Sequence, residues 1–525
     1  MTVPIEIEVR FSVPAKVRGA LATDLARGSS SLSRESLTAD YLDTPDRRLA
    51  RAGLAWRLRR EGRRWVQTLK AGGLGDSGPL ERFEHEVIRP DATHDAKAHA
   101  GTAVGDRLVA ILERARQDGI EPEVRFRSEI RRTTRRMRTR GAVVELSFDE
   151  GRLVADGHTQ RVRELEFELV SGSATSMLAL AERWRRKFGL VLEPRSKAER
   201  GDRLAEGADR PALRKAMKPK YPATVGAAEA FGAVASECLD HIIRNAAGLS
   251  AGDAALRVGQ VHQLRVGIRR LRSALRVFDG WVAPPPESLV DGLRDLFATL
   301  GRARDSDVLS TGVASELVAA GAPALTLPLD GAVVDPAEVA ASDATQRLLL
   351  SWIAWRTGPA EAPPAAPAAP ASDDAPALVT DGGPEAPDSA TEADHVARFH
   401  RDAAKRLRRW HERFRVDWNS FATLDDEALH SLRKRIKRQR YAVEFLAPVL
   451  RRRGVERYLK PLVALQERMG ELNDLLVART RYQALVDSDP AGWFAVGWLA
   501  ARIASERAAV EPRLRDMVKA EPPPT

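Results

Sequence analysis

The sequence predicts a multidomain α+β protein in which an antiparallel β-barrel precedes an all-α region of two similar helical bundles. Three observations support this prediction. Short runs of alternating polar and apolar residues, separated by turn signals, fill residues 1–200. From residue 227 onward the chain is rich in Ala, Leu and Arg at helical spacing. Within that region a strongly basic motif occurs twice, which indicates an internal duplication.

The strand-like runs carry charged residues on one face and apolar residues on the other. In IEIEVRF, for example, Glu6, Glu8 and Arg10 alternate with apolar positions. The corresponding charged positions of the later runs are Arg57, Arg59, Lys70, Arg82, Glu84, Glu86, Glu145, Asp149, Glu164, Glu166 and Glu168. A half-exposed sheet with solvated charges would explain any single strand. A closed barrel with a charged lumen explains all of them together.

The residue types of this face indicate the chemistry of the predicted lumen. Paired carboxylates are hard oxygen ligands suited to Mg²⁺ or Mn²⁺. Arg and Lys side chains bind phosphate oxygens. A site with both groups suits a polyanionic, metal-bound substrate, and the expected reaction is phosphoryl transfer to water.

The N-terminal region also resembles a known family. EIEVR, at residues 6–10, is similar to the ExExK signature of CYTH domains, the triphosphate tunnel metalloenzymes. The stretches YLDTPDRRLARAGLAWRLRREGRRWVQTLK, VELSFDEG, ELEFEL and SKAERG continue the resemblance in order over residues 1–205. Arg10 stands where the family signature has Lys; the positive charge is kept, but a guanidinium is bulkier and stays protonated.

The CYTH resemblance implies a role for each matched residue. Catalytic roles fall on Glu6, Glu8 and Arg10, and the implied ligands of Mg²⁺ or Mn²⁺ are Glu6, Glu8, Glu166 and Glu168. The implied triphosphate-binding residues are Arg57, Arg59, Lys70, Arg132 and Lys197. Further lumen residues are Glu84, Glu86, Glu145 and Asp149.

The duplicated motif of the helical region reads VHQLRVGIRRLRSALRVF at residues 261–278 and LHSLRKRIKRQRYAVEFL at residues 429–446. Each copy combines an apolar stripe, which predicts core packing, with a cationic stripe. The cationic stripes are His262, Arg265, Arg269 and Arg272 in the first copy, and His430, Arg433, Lys437 and Arg440 in the second. A solvated face with snorkelling stems is one explanation. Because like charges at this spacing destabilise a helix and the pattern is repeated, we favour an anion-binding surface.

The two motifs, with RDSDVL after the first and LND after the second, resemble the halves of a CHAD domain, the conserved-histidine α-helical domain. Asp305 and Asp474 take equivalent places in these extensions. The resemblance covers residues 227–515 and implies two antiparallel four-helix bundles around a basic cavity that binds inorganic polyphosphate. We expect domains at 1–205 and 227–515, joined by a junction at 206–226. Between the halves, residues 357–394 are rich in Ala and Pro, which predicts a disordered insertion.

The amino-acid composition favours some classes of binding partner and some cellular compartments over others. The net charge of +10 favours polyanionic partners, and the low aromatic fraction of 6% disfavours base-stacking RNA modules. The single Cys238 excludes an intramolecular disulfide framework and a zinc ribbon. We expect no signal peptide and no transmembrane helix. The expected protein is cytoplasmic and could associate with polyphosphate granules.

A CYTH domain joined to a CHAD domain resembles bacterial proteins that act on inorganic triphosphate. We therefore expect metal-dependent hydrolysis of inorganic triphosphate, with inorganic polyphosphate bound by the helical region. One alternative is an organic substrate, as in thiamine triphosphatase or class IV adenylate cyclase, which would need an apolar pocket at the tunnel mouth. A second is a non-enzymatic polyphosphate-granule protein, which the intact carboxylate rows disfavour. Nucleic-acid binding is the third, although the sequence has no evident base-reading motif.

Overall fold

The computed structural model describes residues 5–28, 31–72, 80–208, 210–311, 313–323, 325, 327, 334–358 and 391–525. Within these ranges the side chains of residues 5, 81, 302–311 and 392 are not described. The side chain of Asp305, the predicted counterpart of Asp474, therefore lies outside the described residues. Residues 359–390, most of the predicted insertion, also lie outside the described residues.

The N-terminal region forms a closed antiparallel barrel. Its strands are β1 (Ile5–Ser12), β2 (Ser33–Asp43), β3 (Leu54–Glu61), β4 (Arg64–Ala71), β5 (Glu81–Arg89), β6 (Glu123–Thr139), β7 (Ala142–Ala155), β8 (His158–Gly172) and β9 (Val191–Leu192). Eight strands run in the order β5-β4-β3-β2-β6-β7-β8-β1, and β1 pairs back with β5 through the register Glu6 to Arg82. The short β9 adds to β1. The predicted barrel is therefore confirmed.

Apolar residues of the barrel strands face outward and are covered by helices. The helices of this region are α1 (Arg18–Ala26), α2 (Arg48–Arg51), α3 (Ala103–Gln117), α4 (Ala174–Phe188) and α5 (Lys197–Ala205). Phe11 and Phe167 are fully buried in the same core as Met177 of α4. On another side, Trp56 and Leu58 pack with Leu108 of α3. Because apolar residues take the outer face, alternation places the charged residues of the same strands in the lumen.

The C-terminal region is helical and is built from two halves. The first half contains α6 (Ala227–Ser250), α7 (Arg257–Val277), α8 (Glu287–Thr311), α9 (Val313–Ala319), α10 (Pro336–Ala341) and α11 (Asp343–Thr357). The second half contains α12 (Glu392–Ser420), α13 (Asp426–Leu446), α14 (Arg452–Leu485) and α15 (Gly492–Lys519). The four long helices α6, α7, α8 and α11 correspond to α12–α15. The predicted pair of helical bundles is confirmed.

The basic motifs lie on α7 and α13, which pack against each other at the centre of the helical region. Leu264, Ile268 and Leu271 of the first motif are fully buried, as are Leu432 and Ile436 of the second. The apolar stripes predicted from the sequence therefore form core.

The barrel and the helical region share one hydrophobic cluster and also make polar contacts. Arg185 of α4 donates to Asp343 of α11 at 2.6 Å, and the Leu192 amide donates to the side chain of Gln346 at 2.8 Å. Arg244 of α6 contacts Glu199 of α5 at 2.6 Å. None of the described helices is long and apolar enough to span a bilayer.

Candidate functional site

A cavity of about 1200 Å³ occupies the barrel lumen and continues to the helical region. Its charged lining from the barrel includes Glu6, Glu8, Arg10, Arg57, Arg59, Lys70, Arg82, Glu84, Glu86, Arg132, Glu145, Glu166, Glu168, Glu193 and Lys197. At the mouth the lining passes to Arg214, Lys218 and Lys220 of the junction and to α6. The structure thus brings all the residues predicted for metal and triphosphate into one cavity.

Four carboxylates form what we call the acidic cluster: Glu6 of β1, Glu84 of β5, Glu145 of β7 and Glu168 of β8. Lys70 is the cation inside it, with Nζ at 2.9 Å from Glu6 and 2.8 Å from Glu84. Arg136, a largely exposed side chain, contacts Glu145 at 2.9 Å. Carboxylates therefore outnumber the cations that contact them.

The carboxyls of the acidic cluster differ in how they respond to this excess of negative charge. Burial opposes ionisation of Glu84, but Lys70, Glu6 and Arg57 together lower its pKa. Burial, then the carboxylates of Glu6, Glu145 and Glu84, raise the pKa of Glu168 to about 7. Burial also raises the pKa of Glu6, against the opposing effect of Lys70. Neighbouring carboxyls whose ionised forms repel one another are stabilised in the ionised form by a bound cation. The donor set is four carboxylates on the neighbouring strands β7, β8, β1 and β5, and carboxylate oxygens suit a hard divalent ion.

A second group, the paired cluster, consists of Asp149, Glu164 and Glu166. Their oxygens lie within 4.8 Å of one another, a spacing that a metal ion could use. Cations already occupy them, however. Lys197 Nζ lies 2.7 Å from Asp149 and 2.9 Å from Glu166 and also pairs with Glu164. Arg132 contacts Asp149 at 2.6 Å and Glu166 at 2.5 Å.

Charge in the paired cluster is balanced rather than excessive. Burial opposes ionisation, but Lys197, Arg132 and Arg10 together hold the pKa of Glu166 well below its ordinary value. A divalent ion would have to displace these cations to bind here. The oxygen spacing favours the paired cluster as a metal site, whereas the charge balance favours the acidic cluster, whose carboxylates outnumber their cations.

The segment SKAERG, at residues 196–201, builds one side of the paired cluster. Ser196 caps α5 by accepting from the Glu199 amide at 3.1 Å. This start of the helix directs Lys197 and Arg200 into the barrel, where Arg200 pairs with the buried Glu164. Gly201 lies against the Phe126 ring; a Cβ there would meet ring carbons at 2.1 Å, so only glycine permits this packing.

The predicted substrate-binding cations of β3 converge in the lumen. Arg57 lies 3.7 Å from both Glu84 and Glu86, and Arg59 lies 3.4 Å from Glu86. Burial and the neighbouring guanidinium of Arg57 lower the pKa of Arg59, and Arg132 adds to that effect. A bound anion would relieve this repulsion, which is the property expected of a phosphate-binding site.

Arg10 and Glu8 lie side by side, both only 7% exposed. Glu8 contacts Arg10 at 3.5 Å and Arg82 at 3.4 Å, so two guanidiniums share this carboxylate. Both guanidiniums also donate to the Pro194 carbonyl.

The cationic stripes of α7 and α13 run along the following helices of their own halves. Arg265 donates to the Phe297 carbonyl of α8 at 3.3 Å, and its guanidinium lies over the Phe297 ring. The Arg269 guanidinium lies over the same ring at a longer distance. Burial and the neighbouring Arg276 lower the pKa of Arg272. In the second half, His430 contacts Asn473 of α14 at 3.1 Å, and Arg440 pairs with Glu444 at 2.7 Å.

Comparison with known protein families assigns a domain family to each of the two regions. The chain matches the CYTH domain family over residues 4–201 and the CHAD domain family over residues 233–483. The chain is a CYTH–CHAD protein. An inorganic triphosphatase of Haemophilus influenzae is 26% identical over 198 residues, which are 37% of this chain. The CYTH–CHAD chain matches only 54% of the length of that relative.

Two solved structures resemble single domains of the CYTH–CHAD chain. The CHAD domain of Ricinus communis is 26% identical and covers 59% of this chain and 99% of its own, with a TM-score of 0.42. A Hippeastrum protein described as an adenylyl cyclase with a dominant triphosphatase activity is 19% identical. It covers 39% of this chain and 96% of its own, with a TM-score of 0.29.

Three charged residues of the barrel interior had no role predicted from the sequence: Glu164 and Glu193, which are buried, and Arg82, which is half-buried. Glu164 pairs with Lys197 and Arg200, Arg82 contacts Glu8, and Glu193 holds Arg195 at 2.6 Å. Glu164 and Arg82 lie on the same alternating face as Glu166 and Glu84, so alternation was an available signal. Glu193 lies just after β9, whose two residues carry no comparable pattern.

Proposed function

We propose that this CYTH–CHAD protein hydrolyses inorganic triphosphate in the barrel with a divalent metal ion and binds inorganic polyphosphate through its CHAD domain. The observation that carries the proposal is that one lumen holds both an acidic cluster with excess negative charge and a set of converging cations. The first group suits Mg²⁺ or Mn²⁺, and the second suits phosphate oxygens.

The residues of the acidic cluster fit the metal role. Glu6 and Glu168, two of the predicted ligands, would hold the ion together with Glu84 and Glu145. The ion would neutralise charge on the terminal phosphate and lower the pKa of a bound water. Glu8 and Glu166, the other two predicted ligands, contact guanidinium and ammonium groups, and we assign them to positioning Arg10, Arg132 and Lys197.

The cations of the lumen would hold the phosphate chain. Arg57, Arg59 and Arg132 present guanidiniums whose geometry matches phosphate oxygens. Binding would break the contacts of Arg57 and Arg59 with Glu86. Attack of water on the terminal phosphorus, with cleavage of its bond to the bridging oxygen, then releases phosphate and leaves a shorter chain. Arg10 stays protonated and contributes charge rather than a base.

An inorganic substrate is favoured over one with an organic group. Among the described residues that line the cavity, Tyr41 is the aromatic side chain, and its ring already stacks on Phe126 at 4.3 Å. Its hydroxyl accepts from Arg57. A nucleoside or thiazolium group would therefore find little aromatic surface. The relative from Haemophilus influenzae, an inorganic triphosphatase, supports the same choice.

The CHAD stripes are proposed to bind polyphosphate near the tunnel. His262, Arg265, Arg269 and Arg272 would act with His430, Arg433, Lys437 and Arg440. The cavity mouth adds Arg214, Lys218 and Lys220. These junction cations lie between the helical domain and the lumen, where they would attract a polyanion to the barrel.

Phosphate release tests the proposal. Purified protein is assayed with tripolyphosphate, ATP and thiamine triphosphate, each with Mg²⁺ or Mn²⁺. We expect metal-dependent release chiefly from tripolyphosphate, and its loss in Glu168→Gln. Glu113→Gln removes an exposed carboxylate of α3, outside the barrel, and is the matched control. Faster release from thiamine triphosphate would favour the organic alternative, and no release from any substrate would favour the binding-protein alternative.

A further inference from the structure

A groove of about 560 Å³ lies between α12 and α13 of the second CHAD half. Its charged lining consists of Arg409, Arg413, Asp417, Lys434, Arg435 and Arg438. These residues of α13 lie on a different face from His430, Arg433, Lys437 and Arg440, because a helix turns about 100° per residue. The groove is therefore separate from the predicted polyphosphate stripe.

Positive charge in the groove is almost uncompensated. Its one lining carboxylate, Asp417, is already held by both ends of the Arg435 guanidinium, at 2.9 and 2.5 Å. In the part of the chain that the structure describes, no carboxylate forms an ion pair with Arg409, Arg413, Lys434 or Arg438. Four cations thus line an open groove, and none of the carboxylates that the structure describes pairs with them.

Arg438 is the deepest of these cations. Its guanidinium lies over the Trp410 ring, 5.5 Å from the centroid, and its buried Nε has no hydrogen-bond partner among the described residues. Burial and the guanidiniums of Arg276 and Arg435 lower its pKa. A buried donor without an acceptor is costly, and an anion in the groove would supply one.

The equivalent groove of the first half is occupied by the chain itself. A shift of 168 positions brings His262 onto His430 and Arg270 onto Arg438. Arg270 donates to the Met217 carbonyl at 2.7 Å. Asn245 of α6 accepts from the Arg214 amide at 3.3 Å and donates to the Arg214 carbonyl at 2.9 Å. An extended segment of the junction is therefore bound across α6 and α7.

The polarity of the two grooves is opposite. In the first, Glu237 and Asp240 of α6 bind the Arg214 guanidinium at 2.6 and 2.9 Å, so carboxylates hold a cationic segment. In the second, α12 contributes Arg409 and Arg413 to the groove. The groove of the first half thus binds a cationic segment of the chain itself, whereas the equivalent groove of the second half is lined by cations.

We propose that the α12/α13 groove is a second binding site for an extended inorganic phosphate chain. The ligand class of this site rests on the proposed function, polyphosphate binding by the CHAD domain. The position of the site does not, because the groove is separate from the cationic stripe of α13. An unsubstituted phosphate chain is favoured over single-stranded nucleic acid, because the one aromatic ring of the lining, Trp410, already stacks with Arg438. Base stacking would need free aromatic faces.

Equilibrium binding of long-chain polyphosphate to the full chain at several salt concentrations tests the site. The groove variant is Arg409→Gln/Arg413→Gln/Lys434→Gln, at three exposed positions. The control variant is Arg451→Gln/Arg453→Gln/Lys460→Gln, which removes the same charge from exposed positions at and after the start of α14. Thermal unfolding of each variant verifies that it is folded.

We expect the groove variant to bind polyphosphate more weakly. The slope of log affinity against log salt concentration should become smaller in magnitude by about two, because each of the three lost phosphate contacts contributes roughly 0.7 for a single strand. The control should keep the wild-type slope. Equal slopes for the groove and control variants would overturn the site. If Arg433→Gln/Lys437→Gln/Arg440→Gln alone removes all binding, polyphosphate binding stands and the groove fails.

Two further outcomes test whether polyphosphate is the ligand, as distinct from whether the groove is the binding site. If the wild-type chain binds no polyphosphate at all, the proposed CHAD function fails and the groove fails with it. If single-stranded DNA of equal charge binds as tightly as polyphosphate, and the groove variant loses both equally, nucleic acid replaces the phosphate chain as the ligand and the proposal is wrong.

Discussion

The barrel lumen and the basic surfaces of the CHAD domain both concentrate charge, but they do so in opposite ways. In the lumen both signs are buried, and most cations lie within ion-pair distance of a carboxylate, as Lys197 does with Asp149. On α12 and α13 one sign predominates and the side chains are partly or fully exposed, as for Lys434. Buried charge must be compensated, whereas exposed charge is screened by water and salt.

This contrast separates two uses of charge. Balanced, buried charge positions groups and makes a rigid site, while uncompensated exposed charge attracts a polyanion without fixing its geometry. The acidic cluster is the exception within the lumen, since its carboxylates lack matching cations. The exception is what makes it the better candidate for a metal ion.

The largest effect is expected for Glu6→Gln, because it removes a carboxylate from the acidic cluster and leaves the ion pairs of Lys197 intact. Turnover of tripolyphosphate should fall on the order of 10²–10³-fold, the scale for losing one electrostatic group from an active site. Steady-state phosphate release at saturating Mn²⁺ measures this. Turnover within about threefold of wild type would remove Glu6 from the metal site.

A matched pair of lysine substitutions tests the compensation of buried charge. Lys197→Met leaves Asp149 and Glu164, which are 0% and 1% exposed, without an ammonium partner. We expect a loss of about 3–5 kcal/mol in the free energy of unfolding. Lys434→Met, at an exposed position of α13, should change it by less than about 0.5 kcal/mol. Urea unfolding of both variants measures the difference, and similar losses would contradict the contrast.

The acidic cluster should make metal binding dependent on pH. The pKa of Glu168 is raised to about 7, so below this pH the carboxyl carries a proton that must leave when the ion binds. Affinity for Mn²⁺ should therefore increase with pH, by up to about tenfold per unit below the pKa. Titration calorimetry at several pH values measures it. Glu168→Gln should flatten the dependence, and an unchanged slope in this variant would assign the proton elsewhere.

The smallest effect is expected for the stripe of α13. Replacing Arg433, Lys437 and Arg440 by Ala should weaken polyphosphate binding and reduce its salt slope by about two. Little unfolding is expected, because Leu432, Ile436 and Val443 form the core of this helix and are untouched. Binding at several salt concentrations measures the effect, with double-stranded DNA of equal charge as the competitor. If DNA competes as well as polyphosphate, the stripe is a generic basic surface.

Much of this architecture was predictable from local patterns. A period of two residues with charge on one face predicted both the barrel and its lumen, because a closed sheet leaves no other place for such rows. The repeated motif predicted two halves. The occupied groove was not predictable, because the contacts of Arg214 with Glu237 and Asp240 join residues 23 and 26 positions apart through tertiary folding.

Glu166 and Glu168 look alike in the sequence but behave differently in the folded protein. They lie two residues apart on one face of β8, and the sequence predicted the same role, metal ligand, for both. Both side chains line the lumen, as the alternation of the strand predicted. The structure makes the pKa of Glu166 lower than usual and that of Glu168 higher. The physical reason is that α5 inserts Lys197 beside Glu166, whereas Glu168 faces the carboxylates of three other strands. Residue types and alternation set the charge available to the lumen, and packing of α5 decided where that charge is neutralised.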